Sequence, residues 1–180
     1  MIALAFALSC AKLFEMPMGG SVTVASMLPI MLVSIKFGMK TGIATSFLYS
    51  LTQLLQALAS ANVFPYCETP ATLILCILFD YVVPFTLLGL AGIFLKFKLS
   101  EKSEINVYYG ISLVVALRFL CHFVTGVAIW GQWAPEGMGA FVYSLVYNGS
   151  YMLPELVVTL LVSGYLLTVS AVEKLLNKEN

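Results

Sequence analysis

The fold is decided by one stretch, RFLCHFVTGVAIWGQWAPEGMGAFVYSLVYN, which runs from Arg118 to Asn148. The surrounding chain is strongly apolar, yet this stretch carries the only arginine, the only histidine and both tryptophans of the protein. On a helix, His122, Gly126 and Trp130 are spaced four residues apart and share one face. Polar side chains inside a membrane cost free energy and are retained mainly for function. The stretch therefore predicts a membrane protein with a polar site between its helices.

The composition of the whole chain also indicates a membrane protein. The 180 residues are 61% apolar and 10% charged, and the mean hydropathy is +0.98. Soluble domains are about half apolar and about a quarter charged. The net charge is zero, which gives no indication of a nucleic-acid partner. We therefore expect one all-α integral membrane domain over residues 1–180, with little mass outside the bilayer.

Clusters of Gly, Pro and charged residues divide the chain into six apolar segments, which predict six transmembrane helices. The predicted bounds are 1–14, 21–38, 41–61, 71–95, 105–131 and 140–172. The first segment has no A-x-A cleavage pattern, so it is interpreted as a membrane segment and not as a signal peptide. It is short and begins as if a helix were already under way, so the sequence leaves open whether Met1 is the natural start.

The lysines predict the orientation of the segments. They concentrate in alternate connections and in the C-terminal tail, at Lys36, Lys40, Lys96, Lys98, Lys102, Lys174 and Lys178. The opposite connections carry only Lys12. Because positive charge marks the cytoplasmic side, we expect a multi-pass protein of the cell membrane with both termini in the cytoplasm.

This orientation places the unusual polar residues at one depth. Asp80, His122 and Asn148 each lie about nine or ten residues from the outer end of a predicted helix, roughly 13–15 Å deep at the helical rise. Tyr143 and Trp130 lie closer to the outer surface. Three helices therefore direct polar groups into the outer half of the bilayer, which predicts a pocket that opens to the outside.

Several of these residues also have a structural interpretation. A carboxylate at the depth of Asp80 costs ~2.5–3.5 kcal/mol on insertion scales, and it could instead pair with Arg118. Arg118 could also pair with Glu155 or with a backbone carbonyl. Glu155 follows Pro154, which frees a helix carbonyl, so its carboxyl group could pair helices or line a cavity.

The aromatic residues allow two interpretations as well. Trp130 and Trp133 suit the aromatic belt at a membrane interface, and we favour the belt for Trp133 and a ligand-stacking role for Trp130. A buried neutral His122 with one hydrogen bond would be ordinary, but its alignment with Gly126 and Trp130 leaves a slot for a flat ligand. Tyr143, Tyr147 and Tyr151 repeat every four residues, which is more often a packing stripe; only Tyr143 is kept as a site residue.

Neither a metal site nor an enzyme is expected. The cysteines form no C-x-x-C pair, and they are Cys10, Cys67, Cys76 and Cys121. Cys121 adjoins His122, so on a helix the two side chains point about 100° apart and form no nucleophile–base pair. The chain has no phosphate-binding loop of the G-x-x-x-x-G-K-[ST] type, so it cannot hydrolyse ATP itself.

Four pieces of sequence carry a family resemblance: MPMGGSVTVASMLPIMLVSIKFGMKTG, FDYVVPFTLLGLAG, HFVTGVAIWGQW and GAFVYSLVYNGSYMLPE. Through them, nearly the whole chain resembles the thiamine-specific substrate-binding (S) components of energy-coupling factor vitamin transporters. The resemblance implies six helices around an outward-facing thiamine pocket, without a cofactor. The ligand-binding residues it implies are Asp80, where the family commonly has Glu, together with Tyr81, His122, Gly126, Trp130, Tyr143 and Asn148.

The chemistry of thiamine suits these residues. Thiamine is a cation with two flat rings, so Asp80 could balance its charge and Trp130 could stack on a ring. His122, Tyr143 and Asn148 offer hydrogen-bonding groups to the pyrimidine edge. Some family members use a Trp in the first outer loop, where this chain has the turn at 19–20.

The resemblance also implies partners. These are a transmembrane coupling protein and two ATPases, and small residues of the first helix would contact the coupling protein. Ala3 and Ala7 lie one turn apart, so backbones could approach closely there. Two alternatives remain from the sequence: an S component for another small vitamin, or a membrane enzyme or proton relay that uses Asp80, His122 and Glu155.

Overall fold

The structure, a computed structural model, describes residues 1–17, 19–60 and 63–169. Most of these residues are helical, and the longer helices pack side by side around a buried core. Among the described residues, three helices are long and apolar enough to cross a membrane. The prediction of a helical membrane protein is confirmed. The helices are α1 (Ile2–Cys10), α2 (Leu28–Ser60), α3 (Pro70–Phe97), α4 (Ser103–Ala128) and α5 (Ala140–Thr168).

Helix α2 reverses direction at Gly38. This residue has φ of 81° and ψ of 166°, a left-handed conformation that glycine adopts without the cost paid by other residues. Residues on either side of it pack together, because a Cβ built on Gly42 would lie 2.5 Å from the Cβ of Ser34. The break therefore separates two helical parts, 28–37 and 39–60, close to where the sequence predicts the boundary between its second and third segments.

Two predictions for the N-terminal part of the chain are wrong. The sequence predicts that the first segment is helical to residue 14, but α1 ends at Cys10 and Lys12–Glu15 forms strand β1. The sequence predicts that the second segment begins at Ser21, but Ser21–Thr23 forms strand β2, antiparallel to β1. The two strands satisfy each other's backbone groups, so this stretch needs no helix.

The remaining bounds differ by a few residues. Helix α4 ends at Ala128, and Trp130–Trp133 forms a separate 3₁₀ turn instead of continuing the predicted helix to 131. Helix α3 holds a π-helical turn at Ile77–Val82. The predicted ends of the third and sixth segments, at 61 and 172, lie outside the described residues.

Candidate functional site

A cavity of about 260 Å³ lies between the β1–β2 hairpin and helices α2 to α5. Its walls include residues from every one of these elements, and its size suits one small organic molecule. The structure brings all of the sequence-predicted ligand residues to this cavity. They are Asp80, Tyr81, His122, Gly126, Trp130, Tyr143 and Asn148.

The carboxylate of Asp80 is the centre of the polar wall. It is buried, and its Oδ1 lies 3.0 Å from Nδ1 of His122. The indole Nε1–H of Trp130 donates to its Oδ2 at 3.2 Å, and the hydroxyl of Thr125 donates to Oδ1. No nitrogen of Arg118 lies within 4 Å of a carboxylate oxygen among the described residues, so the alternative pairing of Asp80 with Arg118 is wrong.

The π-helical turn of α3 places Asp80. In this turn the backbone N–H of Val83 donates to the carbonyl of Leu78, five residues earlier, instead of four. The turn is wider than an α-helical one, so it changes the direction in which Asp80 points relative to the rest of α3. Such turns are frequent at functional sites.

Gly126 allows α4 and α5 to approach closely. A Cβ at this position would overlap the hydroxyl of Ser144 on α5. The structure thus explains Gly126 by helix contact, in addition to the slot that the sequence predicts. Trp130 reaches the same cavity from the 3₁₀ turn beyond α4, so the predicted single helical face is formed by a helix and the turn that follows it.

His122 lines the cavity, and its two ring nitrogens differ in their hydrogen bonding. Its Nδ1 faces Asp80, whereas its Nε2 is buried and has no hydrogen-bond partner among the described residues. An unpartnered buried nitrogen is costly unless a ligand or water completes it. His122 can therefore offer Nε2 to a bound molecule while Asp80 fixes the orientation of the ring.

Asn148 is already engaged by the protein. Its side-chain amide donates to the carbonyl of Ser144 at 2.9 Å and to the carbonyl of His122 at 3.2 Å. Its Oδ1 accepts from the hydroxyl of Tyr151 at 2.9 Å. Asn148 thus ties α5 to α4 beside His122, which the depth argument from the sequence does not reveal.

The two predicted tyrosines contact other rings. Tyr81 lies with its ring centroid 5.6 Å from that of Phe64, and Tyr143 lies 5.5 Å from Tyr147. Tyr147 also lines the cavity, as does Tyr151, so the stripe that the sequence favours as packing faces the site. Its spacing alone could not distinguish these two roles.

Arg118 and Glu155, for which the sequence allows several pairings, also line the cavity. Arg118 lies with its guanidinium 4.7 Å from the ring centroid of Phe85, and it donates from Nη1 to the sulfur of Met27 at 2.9 Å. Its Nε has no partner among the described residues. The carboxylate of Glu155 accepts from the backbone N–H and the hydroxyl of Thr23 on β2.

Taken together, the cavity places the carboxylate of Asp80 beside aromatic rings and hydrogen-bonding groups, and Glu15, Glu155, Lys12 and Arg118 line the same cavity. Such a wall suits a flat organic cation, because the carboxylate balances charge and the rings stack. The described residues contain no group of three or more His, Cys, Asp or Glu side chains placed to hold a metal ion.

On α1, Ala3 and Ala7 are exposed, whereas Ala5 and Ser9 face the core.

Comparison with known proteins shows the family. A family model described as Thiamine transporter protein (Thia_YuaJ) matches residues 1–175. The thiamine transporter ThiT of Bacillus subtilis is 33% identical over 155 residues, which are 82% of this chain and 75% of that protein. ThiT of Lacticaseibacillus paracasei is 40% identical over 98 residues, which are 51% of this chain and 49% of that protein.

A solved structure of ThiT from Listeria monocytogenes shares the fold. It matches with a TM-score of 0.75 at 24% sequence identity, and the match covers 97% of this chain and 92% of that chain. The resemblance drawn from the sequence pieces is confirmed. Because the family model covers nearly the whole chain and the Bacillus subtilis relative aligns over most of it, the chain belongs to the thiamine transporter protein family.

Proposed function

We propose that this chain binds thiamine in the cavity, with Asp80 balancing the positive charge of the ligand. The observation that carries the proposal is the arrangement around Asp80, where three donors orient a buried carboxylate at the wall of an aromatic cavity. Trp130 would stack on a ring of thiamine, and Nε2 of His122 would bond to its pyrimidine edge. Tyr81, Tyr143 and Asn148 would complete the walls.

Calorimetric titration with thiamine tests this proposal. Trp130→Ala and Asn148→Ala should each weaken binding at least about tenfold, since ~1.4 kcal/mol corresponds to a factor of ten. Trp133→Phe is the matched control, because Trp133 lies outside the cavity lining. Unchanged affinity in both alanine variants would place the site elsewhere. Titration with other small vitamins tests the alternative of a different ligand.

The cavity is also proposed to open to the outside of the cell, in a protein with six crossings and cytoplasmic termini. The cavity is lined by the hairpin, by Val63, by Trp130 and by Tyr143, all at one end of the helices. The cytoplasmic connections predicted from the lysines lie at the other ends of the same helices. The position of the cavity and the charge pattern support the same orientation.

We further propose that import needs an energy-coupling module of one membrane protein and two ATPases. The chain carries no nucleotide-binding loop of the G-x-x-x-x-G-K-[ST] type, so ATP-driven uptake would need ATPases from other subunits. The exposed face of α1 with Ala3 and Ala7 would contact the coupling protein, because small side chains let two helices approach closely.

A further inference from the structure

Helix α5 holds the β1–β2 hairpin at three successive turns. The hydroxyl of Tyr147 donates to the carbonyl of Gly19 at 2.8 Å. One turn further, the ring of Tyr151 lies so close to Gly20 that an added Cβ would come within 2.8 Å of its Cε1. The third turn carries Glu155. Residues four apart share one face of a helix, so these three form a continuous attachment stripe.

The contact of Glu155 is the most polar of the three. Glu155 is only 2% exposed, and its two carboxylate oxygens accept from the backbone N–H and the hydroxyl of Thr23 at 2.6 and 2.7 Å. The described residues place no Lys, Arg or His nitrogen within 4 Å of this carboxylate. The side chain of Arg118 is occupied with Met27 and Phe85 instead.

A buried carboxylate without a cation is costly, so its hydrogen bonds should matter. The hairpin in turn needs an external attachment. Strand β1 is exposed along its whole length, and an isolated two-stranded hairpin is marginally stable in water. The same hairpin supplies Lys12, Glu15 and 19–21 to the cavity wall.

We propose that Glu155 is a positioning residue that fixes the hairpin as a wall of the ligand cavity and so sets the rate of ligand release. Both carboxyl oxygens of Glu155 bond to Thr23, and leaving buried polar groups without these bonds is costly. Loss of the carboxylate would therefore free β2 first, and with it the part of the hairpin that faces the ligand. Only the identity of the ligand in this inference rests on the proposed function.

Proteolysis measures the release of the hairpin without any ligand. Lys12 is the single trypsin site between residues 12 and 23, and cleavage after it requires the strand to open. Glu155→Met removes the acceptors at similar size, and Thr23→Val removes one of the two donors. We expect cleavage about tenfold faster in Glu155→Met and an intermediate rate in Thr23→Val.

Thr159→Val is the matched control. Thr159 lies one turn further along the same face of α5, is fully buried, and donates to the backbone carbonyl of Glu155 at 2.7 Å. Its cleavage rate should equal that of the wild type. A folded Glu155→Met variant that is cleaved at the wild-type rate would overturn the proposal. If that variant does not fold, a Thr23→Val variant that is cleaved at the wild-type rate would overturn it.

Release of labelled thiamine measures the second half of the proposal. Dissociation should be about tenfold faster in Glu155→Met, with little change in the association rate. An unchanged dissociation rate in a variant with rapid cleavage would refute the link between hairpin and ligand. If the wild type itself does not bind thiamine, the proposed ligand is wrong, and the cleavage rates still decide the role of Glu155.

Discussion

At the scale of single residues, a substitution at Asp80 tests whether ligand binding depends on the charge of this side chain or on its shape. Asp80→Asn keeps the size of the side chain and removes its charge. If the carboxylate balances a cation, the variant should lose more affinity for thiamine than for an uncharged analogue of the same shape. Parallel calorimetric titrations with both ligands measure the difference. Equal losses would mean that Asp80 acts only through geometry or folding.

The sequence predicts the site residues because polar groups are conspicuous in an apolar chain. Depth along three helices was enough to select Asp80, His122 and Asn148, which the structure brings to one cavity. Thr125, a hydrogen-bond donor to Asp80, is not among the predicted residues, although its spacing of three from His122 is a usable signal. The internal bonds of Asn148 could not be predicted, because they depend on how closely α4 and α5 approach.

At the scale of elements, the Gly, Pro and charged residues indicate most helix boundaries, but they do not indicate the β1–β2 hairpin. Its strands are four and three residues long and pair across a turn, so neither has a hydrophobic period that sequence reasoning could detect. The same holds for the 3₁₀ turn that carries Trp130, since an apolar run shows where a helix is possible but not where its hydrogen bonds change.

The close contact between α4 and α3 leads to a testable prediction about the stability of the protein. A Cβ at Gly110 on α4 would overlap the backbone carbonyl of Ala91, which cannot move as a flexible side chain could. Gly110→Ala should therefore destabilise the protein by about 1–3 kcal/mol and lower its melting temperature in detergent.

Gly149→Ala is the matched control on α5. A Cβ there would meet no atom within 4 Å, so the substitution should leave the melting temperature unchanged or raise it, by up to about 1 kcal/mol of helix propensity. Equal melting temperatures for the two variants would show that α4 and the end of α3 are less closely packed than the structure indicates.

At the scale of the whole molecule, Cys67 reports the orientation in the membrane. It is partly exposed in the connection before α3, which we place outside the cell. In a Cys10→Ser background, a membrane-impermeant maleimide should label it in intact cells. Burial raises the pKa of the Cys67 thiol, so less thiolate is present at neutral pH and labelling should accelerate as the pH rises. Labelling only after lysis would reverse the proposed topology.

Energy coupling also belongs to this scale. In proteoliposomes, the chain alone should bind thiamine without concentrating it, and addition of a coupling module should give ATP-dependent uptake. Ala3→Trp and Ala7→Trp should abolish uptake and leave binding intact, because a bulky ring prevents close helix approach. Phe6→Trp, at an exposed position of the same helix that is already aromatic, serves as the control. Normal uptake by both Ala3→Trp and Ala7→Trp would contradict the proposed contact.

The π-helical turn of α3 has a consequence for insertions and deletions. Deleting one residue within Ile77–Val82 would let the segment close into regular α-helical hydrogen bonding. The two flanking parts of α3 would keep nearly the same rotation, because the π-helical turn holds one residue more than the α-helical turn that would replace it. Asp80, which lies within this turn, would change direction and could then no longer face its donors on α4. A gap of one residue in this helix is therefore expected to separate relatives that keep the acidic group at the cavity from relatives that have lost it.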